Sequence, residues 1–208
     1  MLTLGAMAQK KDWAAFGRYE KANKEVTVQP TAVFMGNSIT EGWANKDPEF
    51  FKKNNLVGRG ISGQTSSEML VRFRRDVLDH NPKCVVIMAG TNDVAQNNGY
   101  IAPENTVGNI ISMCELAKVH KIRPILCAVL PATGFWWRPE VKPADDLIRL
   151  NSMIKEYARS AKRRLNPSRK TNGYEQQIIK LCKRIKRERK GRVNGRQIAA
   201  PTPHPHRT

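Results

Sequence analysis

The sequence has 208 residues, of which 40% are hydrophobic, which is enough for one globular domain with a substantial core. The formal net charge of +18 is unevenly distributed: residues 163–208 hold 14 Lys and Arg against 2 Asp and Glu, whereas residues 1–162 are only mildly basic. No stretch approaches the roughly 20 apolar residues of a membrane-spanning helix, and the four cysteines lack the spacing of a zinc site, so the sequence argues against both a transmembrane protein and a metal centre.

The first eight residues resemble the end of a secretory signal peptide. Residues 2–7 are mostly apolar, an A-x-A pattern ends at Ala8, and the polar residues Gln9, Lys10 and Lys11 follow. We therefore expect residues 1–8 to be the remnant of a signal peptide. This predicts a secreted or periplasmic protein, with a cytoplasmic protein as the alternative.

Strand-like and helix-like patterns alternate through the rest of the first 161 residues. Four short, continuously apolar runs predict buried strands, at 32–35, 56–61, 84–89 and 124–130. Apolar residues at helical spacing predict helices at 12–26, around Trp43, Phe50 and Phe51, and at 66–78, 103–120 and 144–161. Strands this apolar are buried on both faces, so the sequence predicts an α/β fold with a parallel sheet between layers of helices.

Three polar segments follow the first three predicted strands, where the active site of a parallel sheet forms. They read Gly-Asn-Ser-Ile-Thr at 36–40, Gly-Ile-Ser-Gly-Gln-Thr at 60–65 and Gly-Thr-Asn-Asp at 90–93. Ser38 lies where a strand turns into a helix, which presents its hydroxyl as a nucleophile. The backbone N–H groups of Ser38 and Gly63 and the side-chain amide of Asn92 suit an oxyanion hole. Together these groups indicate acyl transfer.

Each of these residues also has an ordinary structural explanation. Ser38 alone would be read as a helix cap, and Gly63 as a turn glycine. Asn92 and Asp93 alone would be a pair of capping residues. The joint occurrence favours the catalytic interpretation for Ser38, Gly63 and Asn92, whereas Asp93 is better explained as a residue that orients its loop.

The three segments, in this order and after these strands, resemble the first conserved blocks of the SGNH (GDSL-type) serine hydrolases. The resemblance covers about residues 12–162 and implies a three-layer, flavodoxin-like α/β/α fold. It implies that Ser38 is the nucleophile and that Gly63 and Asn92 complete the oxyanion hole. The chain departs from the usual Gly-Asp-Ser-Leu block at Asn37 and Ile39, and neither change removes the nucleophile.

A serine nucleophile needs a base, and none is evident. In the family this base is a histidine three residues after an aspartate, beyond a fifth strand, and neither the block nor the strand is recognisable after residue 162. His80 and His120 are expected at the opposite edge of the sheet, which makes them poor candidates. His204 and His206 have the right place along the chain, but their proline-rich surroundings offer nothing to orient them, so the base stays unassigned.

The composition therefore divides the chain into a hydrolase domain at 9–162 and a basic tail at 163–208. A frameshift explains the abrupt change in charge, composition and strand content with one event and predicts a non-native or disordered tail. A natural variant with a basic tail is the alternative. A helical pattern at 174–190 suits nucleic acid or an anionic membrane surface, but a solvated tail is favoured, and no nucleic-acid partner is expected.

The leading hypothesis is a carboxylic ester hydrolase that acts on short acyl esters, such as acetyl esters of glycans or lipids, through a serine acyl-enzyme. Its partner would be a small ester substrate, and no cofactor or metal is implied. The alternative is a catalytically inactive protein of this fold that binds polyanions through its tail. Trp136 and Trp137 either line the substrate cleft or cover the sheet edge, and the sequence indicates neither the acyl group nor the oligomeric state.

Overall fold

The computed structural model describes residues 12–164, with side chains described as far as residue 161. The four strands are β1 (Ala32–Gly36), β2 (Leu56–Gly60), β3 (Cys84–Met88) and β4 (Arg123–Leu126). The α-helices are α1 (Glu20–Lys24), α2 (Ser38–Lys46), α3 (Pro48–Lys53), α4 (Ser66–Asp76), α5 (Thr91–Val94), α6 (Pro103–Val119) and α7 (Ala144–Arg164). Short 3₁₀ helices precede α1 (Phe16–Tyr19) and follow α4 (Leu78–His80).

The four strands form one parallel sheet in the order β2-β1-β3-β4. Gly36, the last residue of β1, pairs with Gly60 of β2 on one side and with Met88 of β3 on the other. The chain runs from β1 outward to β2 and then crosses to β3, so the strand order reverses at β1. Ligands bind at such switch points, outside the carboxyl ends of the strands. The predicted parallel α/β sheet is confirmed.

The two faces of the sheet pack against different helices, because successive strand residues point in opposite directions. Val33 and Met35 of β1 belong to the main core, which α4, α6 and α7 cover. Phe34 lies on the other face, where its ring meets Trp43 of α2 and Phe51 of α3 at centroid distances of 5.2 and 5.6 Å. Helices therefore cover both faces, as a three-layer fold requires.

Helix α2 lies directly against the end of β2, because Gly60 has no side chain. A Cβ at Gly60 would be 2.3 Å from the Glu41 backbone nitrogen and 2.7 Å from the Asn37 carbonyl oxygen. Any other residue would have to push the helix away from the sheet. Gly60 thus fixes where α2 begins, and with it the position of Ser38.

The helix predicted at 12–26 is replaced by two shorter elements, Phe16–Tyr19 and Glu20–Lys24. The Asp12 carboxylate accepts a hydrogen bond from the Phe16 N–H at 3.0 Å, and Ala15 has a φ of 56°. This local hydrogen bond and the left-handed residue turn the chain before a helix can begin. The apolar spacing alone did not contain that information.

The fourth strand, predicted at 124–130, ends at Leu126. The Cys127 N–H still donates to the Ile87 carbonyl at 2.9 Å. At Val129 the backbone N–H and carbonyl instead pair with the amide side chain of Asn151 in α7, at 2.8 and 2.9 Å. The chain therefore leaves the sheet for α7, and β4 is an edge strand within residues 12–164.

Several sequence-based predictions fall outside the described residues. They concern the signal-peptide remnant at 1–8, most of the basic tail at 163–208, and the histidines at 204 and 206, and they stay predictions. Of the helices between residues 12 and 164, none combines the length and the apolar character needed to cross a membrane.

Candidate active site

The first polar segment follows β1 and contains Ser38, which is exposed at the first residue of α2. Asn37, just before it, is buried and caps the helix, because its Oδ1 accepts a hydrogen bond from the Ile39 N–H at 3.0 Å. The capping role considered for Ser38 therefore belongs to Asn37. Within residues 12–164 the Ser38 hydroxyl has no hydrogen-bond partner, so it is open to a substrate.

The loop after β2 contains Gly63, whose φ of 80° is readily adopted only by glycine. Space is not the reason for glycine here, since a Cβ would lie 3.8 Å from its nearest neighbour, the Asn97 Nδ2. That same Nδ2 donates to the Gly63 carbonyl at 2.9 Å. In the described part of the chain the Gly63 N–H, like that of Ser38, has no backbone acceptor.

The loop after β3 supplies Asn92, which is buried. Its Nδ2 donates to the Gln64 carbonyl at 2.8 Å. An amide nitrogen carries two hydrogens, so a second N–H remains for another acceptor. Because Gln64 follows Gly63 directly, this bond brings the second and third polar segments together at one edge of the sheet.

Asp93, next to Asn92, has a structural role, which is the interpretation that the sequence favours. Its carboxylate accepts hydrogen bonds from the Ser66 N–H at 3.0 Å, from the Ser66 hydroxyl, and from the Thr106 hydroxyl at 3.5 Å. Burial raises the pKa of Asp93, although the bonds from Ser66 oppose this. Asp93 therefore ties the loop after β3 to the beginnings of α4 and α6.

Glu41, one helical turn after Ser38, joins α2 to the loop after β2. Its carboxylate accepts hydrogen bonds from the Ser62 N–H at 2.9 Å and from the Ser62 hydroxyl, and it pairs with Arg18 at 2.7 Å. Burial raises the pKa of Glu41, but these donors outweigh it and hold the pKa below its ordinary value. No pattern in the sequence indicates this contact, because Glu41 and Ser62 follow different strands.

Arg72 of α4 is fully buried beneath the same loops. Its guanidinium donates to the Gln64 Oε1 at 2.6 Å, to the Asp76 Oδ2 at 2.7 Å, and to the carbonyls of Arg59 and Gly36 at 2.9 and 3.4 Å. One side chain thus binds the ends of β1 and β2 and the loop that carries Gly63. In the sequence, the sign that Arg72 is buried and paired is its position among the apolar residues of α4, because an unpaired charge would be costly there.

Trp137 is connected to the loop that follows β2, at the carboxyl ends of the strands. The Trp137 Nε1 donates to the Asn97 Oδ1 at 3.0 Å, and Asn97 in turn binds the Gly63 carbonyl. Trp136 is 77% exposed. These contacts favour the interpretation that the tryptophans line the substrate cleft over the alternative that they cover the edge of the sheet.

The two described histidines are occupied away from the site. The His80 Nε2 contacts the Asn23 Oδ1 at 3.0 Å, and the His120 Nδ1 contacts the Leu116 carbonyl at 2.9 Å. Both precede a strand and so lie near the amino ends of the sheet. Within residues 12–164, moreover, no three His, Cys, Asp or Glu side chains are grouped as metal ligands would be.

The comparisons with known proteins agree with this arrangement. The chain matches the model of the GDSL-like Lipase/Acylhydrolase family over residues 34–171. It is 41% identical to a GDSL-like lipase of known structure from Bacteroides thetaiotaomicron, over 85% of this chain and 98% of that one, with a TM-score of 0.70. A Bacteroides fragilis structure assigned as an acylhydrolase is 49% identical, over 74% of this chain and 76% of that one, with a TM-score of 0.71.

A further relative is the uncharacterized lipoprotein YqeF of Bacillus subtilis, which is 35% identical over 79 residues. The matched segment is 36% of this chain and 32% of the relative, so the chain spans about a third of that relative's length. The family match, by contrast, includes all three polar segments and both layers of helices. On that match, and on the shared fold, this chain belongs to the GDSL-like lipase/acylhydrolase family.

Proposed function

We propose that the chain is a carboxylic ester hydrolase in which the Ser38 Oγ attacks short acyl esters, such as acetyl esters of glycans or lipids. The observation that carries this proposal is the exposed Ser38 at the start of α2, relieved of capping by Asn37. A serine that served only to cap the helix would have its hydroxyl on a backbone N–H.

The surrounding groups support an acyl-enzyme mechanism. The Ser38 Oγ forms a bond to the acyl carbon, and the carbonyl oxygen becomes an oxyanion. The N–H groups of Ser38 and Gly63 and the second N–H of Asn92 are the donors proposed to stabilise it. The alcohol then leaves with a proton, and water attacks the acyl carbon to release the acid and restore the Ser38 hydroxyl.

The proton of Ser38 also needs an acceptor. His80 and His120 are engaged at the other end of the sheet, so the proposed base is a histidine beyond residue 164, and His204 and His206 are the candidates. A serine without a base keeps at best a residual of about 10³–10⁴ over water. An inactive, polyanion-binding protein is therefore the second candidate function, and the absence of a suitably placed histidine within residues 12–164 is what favours it.

The test is labelling of the full chain with a fluorophosphonate, which reacts with activated serines. The label should disappear in Ser38→Ala and persist in Ser152→Ala, since Ser152 is also an exposed helical serine. A label that remains on Ser38→Ala would assign the nucleophile elsewhere. If the unaltered chain takes no label and does not hydrolyse ethyl acetate, the inactive alternative is supported. If the unaltered chain does both and His204→Ala/His206→Ala does neither, the base is one of these histidines.

A further inference from the structure

The loop between β4 and α7 holds two tryptophans in a defined position. Phe135 is buried and anchors the loop, and the Arg138 N–H donates to the Phe135 carbonyl at 3.1 Å to close a turn. The Arg138 guanidinium donates to the Gln96 carbonyl at 3.3 Å. Between these anchors Trp136 is 77% exposed and Trp137 38% exposed. The turn therefore holds Trp136 in water although its large apolar surface favours burial.

Contacts connect this turn to the proposed oxyanion hole. Trp137 reaches the Gly63 carbonyl through a single intervening side chain, that of Asn97, with bonds of 3.0 and 2.9 Å. The Trp136 ring meets the Trp137 ring nearly at right angles, at a centroid distance of 5.6 Å and an interplanar angle of 76°. The exposed indole is therefore linked to Gly63 through Trp137 and Asn97.

The surroundings of the pair indicate what it binds. An acyl chain would need a continuous apolar groove, whereas the two tryptophans are followed in the chain by Arg138 and Glu140, whose side chains form an ion pair with an N–O distance of 3.5 Å. A sugar ring has apolar C–H faces, which stack on an aromatic face, and hydroxyls at its rim, which bind charged and amide groups. The combination of an indole face with a polar border matches a sugar ring.

We propose that Trp136 and Trp137 form a platform for the sugar ring on the alcohol side of a carbohydrate ester. The proposal rests on the ester hydrolase function and selects carbohydrate esters over lipid esters. Stacking on Trp136 would hold the ring while Asn97 keeps Trp137 in register with Gly63. The specificity would then lie in a loop that contributes no group to the chemical step.

The test compares Trp136→Ala with Val119→Ala in the full chain. Val119 is 78% exposed at the end of α6, before β4, and so is an equally exposed apolar residue at the opposite edge of the sheet. Trp136→Ala should lower the ratio of kcat/KM for 6-O-acetylglucose, which keeps its other hydroxyls free, to that for ethyl acetate about tenfold, which corresponds to about 1.4 kcal/mol. Val119→Ala should leave the ratio unchanged. An equal ratio in both variants would overturn the proposal.

Two further measurements separate this inference from the proposed function. In Ser38→Ala protein, which should not turn over the ester, titration with 6-O-acetylglucose should quench indole fluorescence, and adding Trp136→Ala should raise Kd about tenfold. An unchanged Kd would reject the platform even if the chain proves inactive. If Trp136→Ala lowers vinyl octanoate hydrolysis relative to vinyl acetate and spares the sugar ester, the platform binds the acyl chain instead, and the proposal is wrong.

Discussion

Replacing Arg72 by leucine tests the buried network under the loops after β1 and β2. The change removes four hydrogen bonds, to Gln64, Asp76, Arg59 and Gly36. Among the described residues it leaves the buried Asp76 carboxylate one donor, the Asn23 Nδ2 at 2.7 Å. Removing one member of a buried ion pair costs about 3–5 kcal/mol, because the other charge stays desolvated.

That cost is a large part of the about 5–15 kcal/mol that stabilises a typical domain. At about 2–4 °C per kcal/mol for a chain of this size, Tm should fall by about 6–20 °C. The assay is thermal unfolding followed by circular dichroism. Arg74→Leu is the control, because Arg74 is exposed on the same helix and its loss should change stability by no more than about 0.5 kcal/mol.

A double variant separates the ion pair from the packing around it. Arg72→Leu/Asp76→Leu removes both charges, so it should cost less than the sum of the two single changes. If Arg72→Leu does not fold, Arg72→Lys keeps the charge but not the fork of donors, and should show an intermediate loss of Tm. Equal Tm values for Arg72→Leu and Arg74→Leu would refute the reasoning.

Two further predictions concern the site itself. Asn92→Ala should lower kcat by about 10²–10³ with little change in KM, because its second N–H binds the oxygen chiefly in the transition state; steady-state kinetics that showed a change in KM alone would assign Asn92 to substrate binding. Glu41→Gln should weaken the dependence of the free energy of unfolding on pH at acid pH. The folded pKa of Glu41 lies below its ordinary value of 4.5, so its ionised form stabilises the fold above that pH and this stabilisation is lost as the pH falls through the folded pKa. The measurement is urea unfolding of both proteins at pH values from above 4.5 down through the folded pKa of Glu41. If the free energy of unfolding of the two proteins changes with pH in parallel, the prediction is wrong.

The positions of the proposed site residues could be predicted from the sequence because the strands were recognisable as apolar runs. Ser38, Gly63 and Asn92 each follow an apolar run, and a parallel sheet brings all carboxyl ends to one edge. The meeting of three short polar segments at one edge could therefore be predicted before any contact was known. The same logic explains why His80 and His120, which precede strands, were expected far from the site.

The side chains that support these residues could not be found in this way. Arg72 binds a carbonyl 36 residues before it in the chain, and Asn97 binds one 34 residues before it. Pairings over such separations depend on how helices lie on the sheet, which local patterns do not specify. Glu41 is close to Ser38 in sequence, but its partner Ser62 follows the neighbouring strand.

The ties across the carboxyl edge also affect how the protein fluctuates. Loops usually open independently of the elements they connect, and their amide hydrogens exchange quickly. Here the loops after β1, β2 and β3 share side chains, so opening any one of them breaks bonds to the next. Their amides should therefore exchange with the sheet as one cooperative unit, and the bonds of Asn97 to Trp137 and to Gly63 couple the tryptophan turn to that unit.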